Sequence, residues 1–207
     1  MKLLAVSDLV IPLLYSQHTK SRFLDIKLLI SCGDLPYEYH EYLVSSLDVP
    51  FFYVLGNHDK EFSSNNSYQN QFIAGGTNLH GKSVHYNGLI LAGMEGSLRY
   101  REGPYQYSQS EMWLNVFNLI PKLLINRIRY GRYLDIFVTH APPAGIHDKS
   151  DLPHQGIYAF RWFIEKFQPR YHIHGHIHVY RPDETVDTLV GKTHVINAYG
   201  YKEIEID

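Results

Sequence analysis

Short apolar runs recur along the chain at residues 3–7, 27–31, 51–55, 89–94, 135–139, 170–174 and 193–199, bounded by Gly, Pro, Asn or Asp. Their length and boundaries read as mostly buried β-strands. Between them, residues 39–47, 110–130 and 156–167 space their apolar side chains as helices do, with Pro121 interrupting the second. Alternation of this kind predicts an α/β domain with helices packed outside sheets. The stretch 111–132 reads as a core-packing helix rather than a partner or membrane surface. The Ser/Asn-rich stretch 63–70 reads as a surface loop or a helix start. Residues 1–14 are apolar enough to suggest a secretion signal, but Asp8 breaks the run and no small-residue cleavage site follows, so a buried strand is expected.

Composition narrows the class. The 207 residues are 44% hydrophobic, enough to close one core, so a single domain spanning 1–207 is expected. A formal charge of −2 offers no basic face to nucleic acid. No stretch approaches the ~20 apolar residues of a membrane span, so a soluble, cytoplasmic chain without a membrane partner is expected. Its one cysteine, Cys32, excludes an intrachain disulfide and a thiolate metal site. Oligomeric state is not specified by the sequence.

Five of the apolar runs end in, or just before, a residue able to bind a hard or borderline metal: Asp8, Asp34, Asn57, His140 and His176. The carboxyl ends of strands form the ligand crevice of open α/β sheets, so residues far apart in sequence can meet there. Carboxylate, amide and imidazole without sulfur favour Mn, Fe or Zn. Gly33, Gly56 and Gly175 precede three of these residues, where a missing side chain lets the backbone turn and approach an ion. His176 and His178 stand at i and i+2, on one side of an extended segment, suiting two ligands of one ion or one each of two.

The blocks Ser7-Asp8-Leu9, Gly33-Asp34-Leu35, Gly56-Asn57-His58-Asp59, Thr139-His140-Ala141-Pro142-Pro143 and Gly175-His176-Ile177-His178 resemble, in this order, those of the calcineurin-like metallophosphoesterases. The style of the last two is similar to the small phosphodiesterase-like members. The resemblance implies a four-layer α/β/β/α sandwich and two divalent ions. Asp34 would bridge them, Asp8 and His178 completing one site and Asn57, His140 and His176 the other. Ions about 3.5–4 Å apart activate water for in-line attack on phosphorus. The resemblance further implies that the non-ligating His58 protonates the leaving group or stabilises the transition state, with Asp59 orienting its ring. A small phosphoester is the implied substrate, a diester somewhat preferred over a monoester.

One position departs from the family. Val10 stands where these proteins usually carry a first-block histidine, and valine coordinates nothing. The favoured reading is a site with three protein ligands plus water; the others are replacement by His18 or Tyr15, or loss of one ion. Loss would leave a catalytically weakened metal-binding or protein-interaction scaffold. His172 and His174 read as packing or supporting residues, and His147, Asp148, Asp151 and His154 as a solvated loop, with the rim of the pocket as the alternative. Tyr37, Tyr100, Tyr105 and Tyr107 read chiefly as packing residues with a polar tip. A secondary reading has some of them flank an aromatic leaving group while Arg99 binds a phosphate oxygen.

Overall fold

The computed structural model describes residues 1–59 and 73–206; the stretch 63–70 lies outside them. Along the chain run β1 (Lys2–Ser7), α1 (Thr19–Arg22), β2 (Ile26–Ser31), α2 (Tyr37–Leu47), β3 (Phe51–Tyr53), β4 (Gly76–Asn78), β5 (Ser83–Tyr86) and β6 (Leu89–Met94). Then follow β7 (Ser97–Leu98), β8 (Gln106–Tyr107), α3 (Gln109–Tyr130), β9 (Ile136–Thr139), α4 (Tyr158–Phe167), β10 (Tyr171–His174), β11 (Asp187–Val190), β12 (Thr193–Asn197) and β13 (Gly200–Glu205). All seven apolar runs contain strands, and the three helical segments are helices.

One sheet has the order β13-β1-β2-β3-β4, the other β11-β12-β10-β9-β6-β5. Neighbours within each are parallel except at β13, β11 and β5, which pair antiparallel at the edges. Period-two alternation sorts side chains into three cores. Leu3, Ala5, Leu28, Ile30 and Phe52 meet Leu91, Ile136, Val138, Ile173 and Ile196 between the sheets. Leu4, Val6, Leu29 and Phe51 turn outward onto α2, through Tyr39, Leu43 and Leu47. Ile90, Ala92, Phe137 and Val195 turn the other way onto Val116 and Leu119 of α3 and Phe160 and Phe163 of α4. This is the expected α/β/β/α sandwich, with parallel strands whose carboxyl ends share one rim.

Pro121 does not interrupt its helix: α3 runs unbroken through it. Ser108 caps the start in a reciprocal capping box with Glu111, and Gly131 ends it in the left-handed conformation. Pro121 is exposed, so the Phe117 carbonyl that loses its intrahelical donor is left on the solvent side, and the buried face holds the helix together.

Candidate metal centre

Three non-glycine residues at the shared rim adopt left-handed backbone: Asp8 (φ 63°), Asp34 (φ 57°) and His176 (φ 66°). Each follows a strand, and each turns the chain so that its side chain enters one cleft; such conformations persist only where surrounding contacts hold them. The Asp8 carboxylate accepts from the His176 N–H (2.9 Å), and Asp34 Oδ1 from the His58 N–H (2.7 Å). Glycines permit the approach. A Cβ on Gly56 would collide with the Asp34 carboxylate and the His140 ring, and one on Gly175 with Ser7 Oγ and the Asp8 carboxylate. His176's turn also ends β10 at His174, so the i, i+2 pairing expected on an extended segment does not occur. His176 joins His140, while His178 faces Asp8.

Tautomers define what the centre can hold. His140 Nδ1 lies 2.7 Å from the Cys32 carbonyl, and His176 Nε2 2.7 Å from the Pro153 carbonyl. A carbonyl only accepts, so each of these nitrogens carries the ring proton, leaving lone pairs on His140 Nε2 and His176 Nδ1. Those two nitrogens are 3.0 Å apart, and His140 Nε2 also meets Asn57 Oδ1 at 3.1 Å and Asp34 Oδ2 at 3.2 Å. The Asn57 amide nitrogen is turned away, donating to Tyr100 Oη (3.3 Å). Four possible ligand atoms thus converge in a buried spot, where His140 Nε2 holds either a proton shared with Asp34 or a metal ion. Ligand atoms of Asp34, His140 and His176 all lie within 4.8 Å of one another. The donor set fits a borderline divalent ion, each imidazole braced by a carbonyl as metal-bound histidines are.

The electrostatics agree. Burial favours the neutral His140 ring, but Asp34 beside it wins and raises its pKa; Asp34, despite its own burial, is held below the usual carboxylate range by His140 and the His58 N–H. A proton and a metal ion compete for the same His140 lone pair. Burial, with His140 adjacent, lowers His176 to about 3, so its Nδ1 is unprotonated at neutral pH.

Asp8 and His178 form a looser pair. Asp8 Oδ1 is 4.0 Å from His178 Nε2, and His178 Nδ1 lies 2.9 Å from Tyr180 Oη. Neither expected substitute for the missing histidine is a neighbour here: Tyr15 packs edge-on against Tyr39 and Tyr42, and His18 sits exposed before α1. Val10 packs into the core beneath α2.

Three expected site elements meet other partners in the fold. Arg99 is not free for a phosphate: its guanidinium holds Glu111 at the start of α3 (2.8 and 3.1 Å). Asp59 is engaged by main-chain donors. It is fully buried, and its carboxylate accepts main-chain N–H groups from Asp34 (3.0 Å), Leu35 (3.4 Å) and Gly56, tying the Asp34 loop to the Asn57 loop. The His58 ring instead meets Tyr100 Oη and an Arg101 guanidinium nitrogen, each at 3.4 Å. The 147–154 loop is more than a solvated rim. Pro153 fixes the His176 tautomer, His154 lies 5.5 Å ring to ring from His176, and Asp151 holds His154 Nδ1. His147 bonds His174 (2.9 Å) and Thr188 (2.9 Å), and His172 bonds Thr139 (2.8 Å), so His172 and His174 support the centre from behind. Arg101 and the Pro153 carbonyl escaped sequence reasoning as site elements, because a tertiary approach creates them, and Tyr100 entered it only through the secondary reading of the tyrosines.

Residues 1–180 match the calcineurin-like phosphoesterase family, and the chain belongs to that family, whose members bind divalent metals. Solved structures share the fold at low identity. Protein TT1561 of Thermus thermophilus is 16% identical over 96% of this chain and 89% of its own, with a TM-score of 0.63. A hypothetical protein from the same organism is 15% identical (95% and 75% covered, TM-score 0.53). GAP50, the anchor in the inner membrane complex of Plasmodium, is 13% identical (95% and 70% covered, TM-score 0.51). No curated protein matches the chain. Among the described residues, no helix is long and apolar enough to cross a membrane.

Proposed function

We propose that this chain hydrolyses a small phosphoester, a phosphodiester in preference to a monoester, at a divalent metal centre. The observation that carries this reading is the convergence of an Asp34 carboxylate oxygen, Asn57 Oδ1, His140 Nε2 and His176 Nδ1 on one buried spot. Asp34, Asn57, His140 and His176 would hold one ion, and Asp8 and His178 would contribute to a second. Manganese, iron or zinc suits the donor set. Bound ions supply Lewis-acid stabilisation of phosphoryl oxygens and a nucleophilic water at neutral pH.

The protein's own groups do the rest. The Arg101 guanidinium has donors only, so the His58 nitrogen it faces accepts, leaving the other ring nitrogen to present N–H on the Tyr100 side. His58, Tyr100 and Arg101 thereby offer hydrogen bonds and positive charge to ester oxygens beside the ligand cluster, which supports His58 as the group that stabilises the departing oxygen. Asp59 keeps Asp34 and Asn57 in register.

The loose Asp8–His178 pair, with Val10 in place of a ligand, favours a second reading: a one-ion scaffold without turnover. Elemental analysis of purified protein, paired with hydrolysis of bis(4-nitrophenyl) phosphate and 4-nitrophenyl phosphate after Mn or Zn loading, separates the two. Two ions with diester turnover lost in His58→Ala at unchanged metal content support the hydrolase. One ion and no turnover support the scaffold, and no bound ion removes both.

A further inference from the structure

Helix α3 covers its sheet with Met112, Val116, Leu119, Leu123 and Asn126. It also meets α4 where Trp113 and the edge of Phe117 pack against Trp162, yet its opposite face is apolar as well. Leu114 (62% exposed), Phe117 (47%), Leu124 (49%), Ile125 (47%) and Ile128 (84%) line it, while Tyr130, also exposed, lies on the sheet side against His85. Six of the thirteen large apolar side chains exposed among the described residues therefore lie on one helix. Leu114, Phe117, Pro121, Leu124 and Ile128 follow one another at steps of three, four, three and four, the seam spacing of helices that pair along their length.

We propose that this face is a homodimer interface in which α3 packs antiparallel against α3 of a second copy, crossing near Pro121. The occupant follows from self-complementarity. The seam is near-symmetric about Pro121, with Leu114 and Ile128 at its two ends and Phe117 and Leu124 inside them, so a two-fold axis there sets each half against the other. Charge selects the direction. Lys122, Arg127 and Arg129 flank only the C-terminal half, and Asn115 and Asn118 the N-terminal half. Parallel pairing would set all three cations against their own copies; antiparallel pairing separates Arg127 and Arg129 from theirs, leaves only Lys122 near its copy, and also opposes the two helix dipoles. Size is adequate as well. The 22-residue helix is about 33 Å long, and its five seam-side apolar side chains expose on the order of 400 Å² per copy. That is half of the ~800 Å² per partner of a standard interface, leaving the polar flanks to supply the rest.

Sedimentation and light scattering on the full chain test this directly. A particle of twice the 24.1 kDa chain mass at micromolar concentration is expected, converted to monomer by Leu124→Glu with Ile128→Glu at unchanged circular dichroism. The buried Cys32 leaves the surface free for single-cysteine probes. Lys122→Cys should cross-link to its own copy with a short bis-maleimide, while Arg129→Cys, about 24 Å from its copy by helix rise, should not. A monomer at 100 µM, a dimer indifferent to the glutamates, or cross-linking at position 129 as efficient as at 122 would each overturn the proposal.

Discussion

Asp59 offers the sharpest test of how this centre is built. Replacing it with Ala removes the acceptor for the N–H groups of Asp34, Leu35 and Gly56 in a spot from which water is excluded. Burial, with Asp34 nearby, pushes the Asp59 pKa up to about 7, so its three N–H bonds are made to a partly charged carboxyl and are worth about 1–3 kcal/mol each. Asp59→Ala should therefore destabilise the fold by roughly 3–5 kcal/mol, a large share of the 5–15 kcal/mol typical of a domain. Asp59→Asn keeps an oxygen for the Asp34 and Gly56 donors, which share one carboxylate oxygen, and turns an amide only toward Leu35. It should cost about 1 kcal/mol. Because the tie positions ligand loops, metal affinity should fall about 10- to 100-fold in the Ala variant. Urea denaturation with calorimetric Mn titration reads both quantities. Stability and affinity within error of wild type, alongside a collapse in turnover, would refute the bracing role and restore Asp59 as the partner of the His58 ring.

Gly56→Ala pushes a methyl into Asp34 and His140, so Mn affinity should drop at least about tenfold with 1–3 kcal/mol of overpacking cost; unchanged calorimetric binding would contradict the close approach. Arg99→Ala should leave KM for any phosphoester untouched and loosen only the start of α3, visible as faster amide exchange there; a raised KM would return Arg99 to the substrate. His40 and His172 are fully buried, and burial lowers both pKa values to about 3. The unfolded chain binds these protons below pH ~6.5 and the folded chain does not, so their contribution is complete above that pH and erodes as pH falls toward 3. Each should subtract up to about 1.4 kcal/mol per pH unit in urea melts between pH 6 and 4, and His172→Gln should flatten the slope; a pH-independent midpoint there would rule this out.

Much of this molecule is written in local pattern. Contiguous apolar runs mark the strands that are buried on both faces, and their C-terminal Asp, Asn and His residues mark the rim. What escaped has a physical cause. β11 and β13 are edge strands in which polar residues, Asp187 and Thr188 in one and Lys202, Glu203 and Glu205 in the other, break up the apolar ones, so no apolar run announces them. Pro121 reads as a breaker because a sequence does not show that its missing N–H lies on the solvent side. His176 and His178 look like same-face neighbours until His176 turns left-handed, a conformation imposed by the Asp8 carboxylate on its N–H. Asp59 and Arg99 carry charges whose partners, main-chain donors and Glu111, are chosen by the folded chain alone.

The two sheets bring different chemistry to their common edge. Asp8, Asp34 and Asn57 leave β1, β2 and β3, whereas His140, His176 and His178 leave β9 and β10. Oxygen donors thus come from one slab of the sandwich and nitrogen donors from the other, so a captured ion works as a rivet through the seam. Prying the slabs apart and ejecting the ion become one event, and free metal at 100 times its dissociation constant would add about 2.7 kcal/mol against unfolding.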